Sequence, residues 1–105
     1  MSFKDVIHSD INNVFFNIDE FAESHIIDGR ALNIIVDNDR LQQRTQKEYD
    51  SIYVGDILYY VSSADYGPAP KIDEIQIFDD QQMQVFDVRE EAGIYEIILR
   101  RNLGG

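Results

Sequence analysis

Short apolar runs separated by turn residues recur through most of this chain, and this spacing constrains its fold more than any other feature. In the last run, residues 94–101, the side chains of Tyr95, Ile97 and Leu99 stand at every second position. Because successive side chains of a β-strand point to opposite faces, this alternation is typical of a strand. Short connections containing Gly and Asp separate several of the runs, and they indicate β-hairpins.

We predict six or seven short strands. Asp28 and Gly29 form the clearest turn signal, because both residue types tolerate positive φ in a tight hairpin turn. A four-residue loop at residues 79–82 and a turn at residues 91–93 are predicted to join the later strands. The predicted strands are residues 25–27, 30–36, 52–54 with 57–62, 74–78, 84–90 and 94–101.

Residues 2–16 have instead the periodicity of an amphipathic helix. Ser2 can cap the N-terminus of this helix, and Asp5 lies three positions further on, as in a weak variant of the capping box. Apolar residues recur at steps of three and four, which places them on one stripe that must dock against something. The stripe consists of Phe3, Val6, Ile7, Ile11, Val14 and Phe15.

One helix followed by short strands at hairpin spacing predicts a mainly β fold in a single domain, residues 1–105. In so small a chain, closing the sheet into a barrel removes vulnerable strand edges. We therefore predict a small barrel-like antiparallel sheet, with the N-terminal helix plugging or flanking the barrel.

Residues 37–51 form a long polar segment between two apolar runs. Leu41 and Tyr49 are its only hydrophobic members, too few to hold a helix against a core. Connections in compact domains usually have about 4–6 residues, and longer loops tend to be functional or disordered. The segment is predicted to be a long polar loop, either a solvated insertion or an arm held out towards a partner.

The charge balance limits the classes of partner. Twenty acidic and nine basic residues give a net charge of −11, and 44% of the residues are hydrophobic. This charge disfavours binding to the outside of nucleic acid or to an anionic membrane. It is compatible with a protein past which DNA moves without being bound. There is no cysteine, and no run approaches the roughly 20 apolar residues of a membrane span. A soluble protein of the cytoplasm is the simplest expectation.

Catalytic and metal-binding patterns are not evident. His8 and His25 do not stand in a metal-ligand spacing. The adjacent carboxylates at residues 79–80 and 90–91 are expected to point to opposite faces and to solvate turns. The serines at residues 62–63 have no nucleophile-elbow context. We therefore predict no enzyme activity, no metal and no cofactor.

Five of the nine basic residues fall into two places in the chain. Arg40, Arg44 and Lys47 lie in the polar segment, and Arg100 and Arg101 lie near the C-terminus. If the segment were partly helical, its three basic residues would share a face through their spacing of four and three. Two interpretations of these basic residues remain open: they are ordinary solvated charges, or they form a contact surface.

Three stretches resemble the small head–tail joining proteins of long-tailed bacteriophages and prophages. The first is VFFNIDEFAESH at residues 14–25, followed by IDG at residues 27–29, a strand ending in Val36 and Asp37, and a polar insertion. The last is VFDVREEAGIYEIIL at residues 85–99, which is similar to the final hairpin of that family.

The resemblance implies a small β-barrel with an N-terminal helix and a long mobile loop. It also implies a function as a structural virion protein: copies form a ring beneath the portal or adaptor ring, complete the DNA-filled head and offer the surface to which a tail terminator or tail-joining protein attaches. In some members the loops help to close the channel against DNA leakage. The implied location is the head–tail interface of the virion, reached from the host cytoplasm, with DNA passing through the channel and no membrane partner.

The loop role carries over to residues 37–51 only as a segment. Candidate residues at the channel or tail interface are Asp37, Asp39, Arg40, Arg44, Lys47 and Tyr49, and candidates at a C-terminal interface are Arg100 and Arg101. Two other classes remain open: an acidic mimic of DNA that binds a nuclease or repressor, and a small adaptor that binds a peptide or ligand. A mimic needs ordered rows of carboxylates, whereas this segment is mixed in sign.

Overall fold

Six strands form a closed antiparallel barrel in the computed structural model, which describes residues 21–48 and 55–101. Around the barrel the strand order is β1-β2-β3-β6-β5-β4, and the predicted mainly β barrel is confirmed. The elements are β1 (Glu23–Ile27), β2 (Arg30–Val36), α1 (Asn38–Glu48), β3 (Ile57–Ser62), α2 (Ser63–Tyr66), β4 (Ile75–Phe78), β5 (Gln81–Glu91) and β6 (Ile94–Arg101). The predicted helix at residues 2–16, the run at residues 52–54 and Tyr49 lie outside the described residues.

The three hairpins have two-residue turns in which both residues take positive φ. The turns are residues 28–29, 79–80 and 92–93, with φ values of 51° and 82°, 48° and 69°, and 53° and 79°. This conformation matches the right-handed twist of the flanking strands. The turn at Asp28 and Gly29 confirms the sequence prediction. The predicted four-residue loop at residues 79–82 is wrong, because β5 already begins at Gln81.

Two structural predictions for the segment at residues 37–51 are wrong: it is neither a loop throughout nor an arm. Residues 38–48 are the helix α1, and its Arg40, Leu41 and Arg44 are buried. A helix at this position was expected to need apolar side chains for its buried face, whereas two of the three buried residues of α1 are arginines.

Aromatic and aliphatic side chains fill the barrel, and a short polar chain crosses it. The core consists of Ile27, Leu32, Ile34, Tyr59, Val61, Tyr66, Phe78, Met83, Val85, Tyr95, Ile97 and Leu99. The Tyr59 hydroxyl donates to Gln76 Oε1 at 2.7 Å, and Gln76 Nε2 donates to the Tyr66 hydroxyl at 2.8 Å. Burial raises the pKa of Tyr66 to about 12. These two hydrogen bonds give partners to both polar atoms of the Gln76 side chain, which is fully buried, as buried polar groups require.

The barrel closes at a short seam between β1 and β4, and two aspartates complete it. Ile27 and Phe78 are the one residue pair in register there. Asp28 donates its backbone N–H to the Ile77 carbonyl and accepts the Ile77 N–H on Oδ1, at 2.9 and 2.8 Å. Asp79 makes the same two bonds with Ile26, at 2.8 and 2.9 Å. The two aspartates in the turns thus provide hydrogen bonds between β1 and β4 in place of the backbone bonds that longer strands would form.

Candidate functional site

The helix α1 contains most of the residues that the sequence predicts as a candidate site. Its first residue is determined by contacts within the segment itself. Asp37 Oδ1 accepts the backbone N–H of Arg40 at 3.0 Å, which is the bond of an N-cap residue. Asp39 in the first turn and Lys47 in the last turn have the charges that the helix dipole favours at each end. The segment therefore has a helix start signal despite its polarity.

Arg44 lies at the centre of the contact between α1 and the barrel, and 1% of its surface is exposed. Its Nη1 donates to Glu96 Oε2 on β6 at 2.8 Å, and its Nε donates to Glu48 Oε2 at 3.1 Å. Its Nη2 donates to Asp87 Oδ2 on β5. One guanidinium thus binds three carboxylates, two of which belong to the sheet.

Arg40 and Arg89 extend this contact into a network with no net charge. Arg40 Nε donates to Glu96 Oε1 at 3.2 Å. Arg89 Nη2 donates to Glu48 Oε1, and its Nε lies 3.6 Å from Asp87 Oδ2. We call this the ion-pair network; its members are Arg40, Arg44, Glu48, Asp87, Arg89 and Glu96. Buried charges are costly unless they are paired and hydrogen-bonded, and no buried side-chain nitrogen or oxygen of the described residues lacks a partner.

The pKa values of the network follow from these contacts. Burial acts to lower the pKa of Arg44, but the hydrogen bond to Asp87 and the charges of Glu96 and Glu48 raise it above its ordinary value. Burial acts to raise the pKa of Glu48, but the bonds from Arg89 and Arg44 hold it below its ordinary value. Both groups are therefore fully charged near neutral pH.

A small apolar layer lies beside the network on the outside of the sheet. Leu41 of α1 packs with Leu58, Tyr60, Ile94 and Ile98, and the partly buried Ala22, Ile35 and Phe86 adjoin them. A bulge in β5 between Val85 and Asp87 interrupts the register there. Strand β6 is therefore buried on both faces, by the barrel core on one side and by α1 on the other.

The placement of Arg40 and Arg44 contradicts the expectation that they are solvated charges or lie on an exposed contact surface. Both are buried and bonded within the chain, so neither is offered to DNA or to a neighbour in this conformation. They do share a face, as a helical spacing of four requires. Lys47, which the same argument grouped with them, is exposed.

The remaining predicted site residues do not form one cluster, because two belong to the start of α1 and two lie on β6. Asp37 is the helix cap and Asp39 is exposed. Arg100 Nε donates to Gln84 at 3.2 Å, and the guanidinium lies 5.6 Å from the ring centre of Phe86. The side chain of Arg101 is exposed at the end of β6.

The outward side of α1 is polar and carries charges of both signs. Its exposed residues are Asn38, Asp39, Gln42, Gln43, Gln46, Lys47 and Glu48. Three of these are glutamines, whose amides can donate and accept hydrogen bonds with a partner. Since the opposite side is fixed to the barrel, α1 presents this surface on a rigid support.

His25 is the one histidine within the described ranges, and it belongs to the seam. Its Nδ1 lies 2.5 Å from Asp79 Oδ2, and its ring stacks on Phe78 with the ring centres 5.2 Å apart. The bond to His25 and the N–H of Ile26 lower the pKa of the Asp79 carboxyl. Residues 21–48 and 55–101 contain no group of three or more His, Cys, Asp or Glu that could hold a metal ion.

Sequence reasoning missed the carboxylate half of the network. Glu96 interrupts an otherwise apolar run, residues 94–99. That lone charge was a signal, because a charged residue at a buried strand position needs a partner. Nothing in the local sequence connects Glu96 with Arg44, which precedes it by 52 residues.

Among the helices of the described part of the chain, none has the length and apolar character to cross a membrane. Comparisons with protein-family models, with curated proteins and with solved structures find no match to this chain.

Proposed function

We propose that this protein is a structural component of a tailed phage or prophage that forms a ring at the head–tail interface. In this role it completes the DNA-filled head and provides the surface to which the tail attaches. Its partners would be the portal or adaptor ring, a tail terminator or tail-joining protein, and further copies of itself. The protein would act in the virion after assembly in the host cytoplasm.

The observation that carries the proposal is the closed six-stranded barrel, which is the fold that the sequence resemblance implies. The described parts of the resembling stretches lie in two hairpins: residues 23–29 belong to the β1–β2 hairpin and residues 85–99 to the β5–β6 hairpin, whereas residues 14–20 lie outside the described residues. A barrel alone does not define a function, so the proposal depends on fold and resemblance together.

The electrostatics are compatible with DNA passing through such a ring. A net charge of −11 repels phosphates, so that the duplex slides without being held. Because Arg40 and Arg44 are bonded to Glu96, Asp87 and Glu48, their positive charge is neutralised inside the protein. The helix thus adds no strong phosphate-binding site.

Because residues 38–48 form a helix, the segment after β2 has a different role in this proposal from that of a mobile loop. A loop could move into a channel, whereas α1 is fixed to β5 and β6 by the ion-pair network. In the proposal the outward side of α1, around Gln42 and Gln46, is a rigid surface that contacts the next protein of the joint.

Complementation of defective heads tests this function. Purified protein is mixed with DNA-filled heads that carry a mutation in the corresponding gene, then with tails, and infectivity is measured. We expect the protein to restore infectivity and to add a ring beneath the portal in negative-stain images. Heads that stay unaltered and non-infective at saturating protein would contradict the proposal, and binding to a nuclease or repressor that DNA displaces would favour the acidic mimic instead.

A matched pair of variants tests the role of α1. Gln46→Arg places a long charged side chain on the outward side of α1, and Gln81→Arg makes the same change at an exposed position of β5. Neither residue belongs to the ion-pair network, so both variants should fold. We expect Gln46→Arg to weaken binding to the next protein at least about tenfold, a loss of about 1.4 kcal/mol, and thereby to lower the restored infectivity. Equal activity of the two variants would remove α1 from the contact.

A further inference from the structure

Three isoleucines lie exposed on the outside of the barrel beside the seam. Ile26 of β1 and Ile75 and Ile77 of β4 have 46%, 41% and 38% of their surface exposed. Ile77 is a diagonal neighbour of Ile26, because Ile26 stands opposite Asp79 at the seam. Single exposed hydrophobic residues are ordinary, but several on one patch mark an interaction site. We call these three residues the isoleucine patch.

Two carboxylates lie among these side chains. Asp79 stands opposite Ile26 and Asp28 opposite Ile77, and both aspartates are exposed. Each carboxylate accepts the backbone N–H of the isoleucine opposite it, so both are held beside the patch. An occupant that suits this surface therefore has apolar side chains for the isoleucines and a basic group for the aspartates.

The amphipathic helix predicted for residues 2–16 has this composition. Its apolar stripe must dock against something, and the proposed function does not use it. Lys4 precedes Ile7 and Ile11 by three and seven positions, so a helix would place it at the edge of the stripe. Lys4 is also the one Lys or Arg among residues 1–20.

The segment is attached where it can reach the patch. Strand β1 begins at Glu23, so residues 17–22 connect it with the stripe, and six residues span at most about 20 Å. Ile26 lies three residues beyond Glu23, about 10 Å along β1. A helix of 15 residues is about 22 Å long, whereas four adjacent strands are about 14 Å wide. Because the segment is tethered, it meets the patch at an effective concentration on the order of millimolar.

The arrangement of the barrel leaves the outer side at the seam for this segment. The interior of the barrel is filled by its own core side chains. Strands β1 and β4 lie across the barrel from β3 and β6, which α1 covers through Leu41. A second helix at the seam would therefore not compete with α1.

We propose that the apolar stripe of residues 2–16 docks on the isoleucine patch of its own barrel, with Lys4 beside the aspartates of the seam. The contact removes the three isoleucines from water and gives the aspartates a basic partner. It concerns one isolated chain and does not rest on the proposed function, so either can fail while the other holds.

Paramagnetic broadening of amide signals in the full chain locates the segment. The chain has no cysteine, so Ser9→Cys, which lies off the stripe, provides a single position for a nitroxide label. We expect the amides of residues 26–28 and 75–77 to lose more signal than those of residues 38–48. Broadening that is strongest at residues 38–48, or equal on the two sides, would overturn the proposal.

A mixed sample separates contact within one chain from contact between copies. Labelled chains without isotope enrichment are mixed with enriched chains that lack the label. We expect the enriched chains to show no broadening at the isoleucine patch. Broadening there as strong as in the singly labelled sample would mean that the segment docks on a second copy, and the proposal would be wrong.

Matched substitutions test the isoleucines. Ile77→Asn and Val36→Asn remove apolar surface at residues that are 38% and 39% exposed, and only Ile77 belongs to the patch. We expect Ile77→Asn to reduce the broadening and to accelerate amide exchange in residues 3–15 at least about threefold. Val36→Asn should leave both unchanged. Equal effects of the two variants, or no effect of Ile77→Asn, would contradict docking at the patch.

A second pair tests the charge and alters no residue of the barrel, so it decides the matter even if Ile77→Asn does not fold. Lys4→Glu and Lys47→Glu make the same charge change, the latter at an exposed residue of α1. We expect only Lys4→Glu to weaken the broadening at the patch. Raising NaCl from 0.1 to 1 M shortens the Debye length from about 10 to about 3 Å and should restore part of it. Equal effects of both glutamates would mean that net charge governs the segment, and no effect of Lys4→Glu would remove Lys4 from the contact; either result would overturn the proposal.

Discussion

Removing the charge of Glu96 should destabilise the contact between α1 and the barrel. Glu96 is 4% exposed and accepts bonds from both Arg40 and Arg44. Glu96→Gln keeps the size of the side chain, so that no cavity forms, but it leaves the network with one excess positive charge. Breaking a buried ion pair by removing one partner costs about 3–5 kcal/mol. We expect the lower end, about 3 kcal/mol, because Arg44 keeps Asp87 and Glu48.

Urea denaturation followed by circular dichroism measures this loss. For a small protein the free energy of unfolding falls by about 1–3 kcal/mol for each molar of urea. With a slope near the middle of this range, about 3 kcal/mol lowers the midpoint by roughly 1.5 M. Glu90→Gln is the matched control, because Glu90 is an exposed carboxylate on β5 and its change should stay within about 0.5 kcal/mol.

Amide exchange then separates local from global loss. If the network holds α1, exchange should accelerate at the amides of residues 41–48 before it does in the β-strands. A midpoint of Glu96→Gln within error of Glu90→Gln would refute the reasoning. It would mean that the arginines find water or other acceptors at no cost, and that burial of Leu41 alone retains the helix.

Three further changes test other parts of the structure. Gly55→Ala should destabilise by about 1–3 kcal/mol in urea, because a Cβ there would lie 2.5 Å from Ile98 Cγ2. Asp28→Ala removes the acceptor of the Ile77 N–H and should cost about 1 kcal/mol, with faster exchange of that amide, whereas Asp28→Asn should lose less. The lowered pKa of Glu48 makes its contribution to stability complete above its unfolded value of about 4.3 and lost as the pH falls through the folded value. The difference in melting temperature between wild type and Glu48→Gln should therefore shrink from pH 6 to pH 3, and a constant difference would contradict the assignment.

The hairpins were predictable because their signals are local. Asp28 with Gly29, and the turn around Gly93, place residues that tolerate positive φ between runs of β-forming side chains. The turn at Asp79 and Asp80 was placed correctly, but its length was not. The Asp79 side chain that supports this tight turn binds Ile26 and His25, which are more than 50 residues earlier in the chain.

The helix α1 was not predicted because only apolar residues were counted as able to cover the barrel. The methylene groups of the arginine side chains were left out of that count. Long basic side chains cover apolar surface with their methylene groups, and Arg40 and Arg44 flank Leu41 in this way on the buried side of α1. Their charges are tolerable there only because Glu96 and Asp87 arrive from β6 and β5. That pairing is a property of the tertiary structure, so no pattern within residues 37–51 could reveal it.

Because the charges of the ion-pair network cancel, the net charge of the molecule comes from its other residues. With three basic and three acidic residues bonded to one another, the remaining chain has six basic and seventeen acidic residues. The whole net charge of −11 is therefore borne by residues outside the network. A molecule with this net charge repels phosphates and other copies of itself, so that any contact between copies must offset this repulsion.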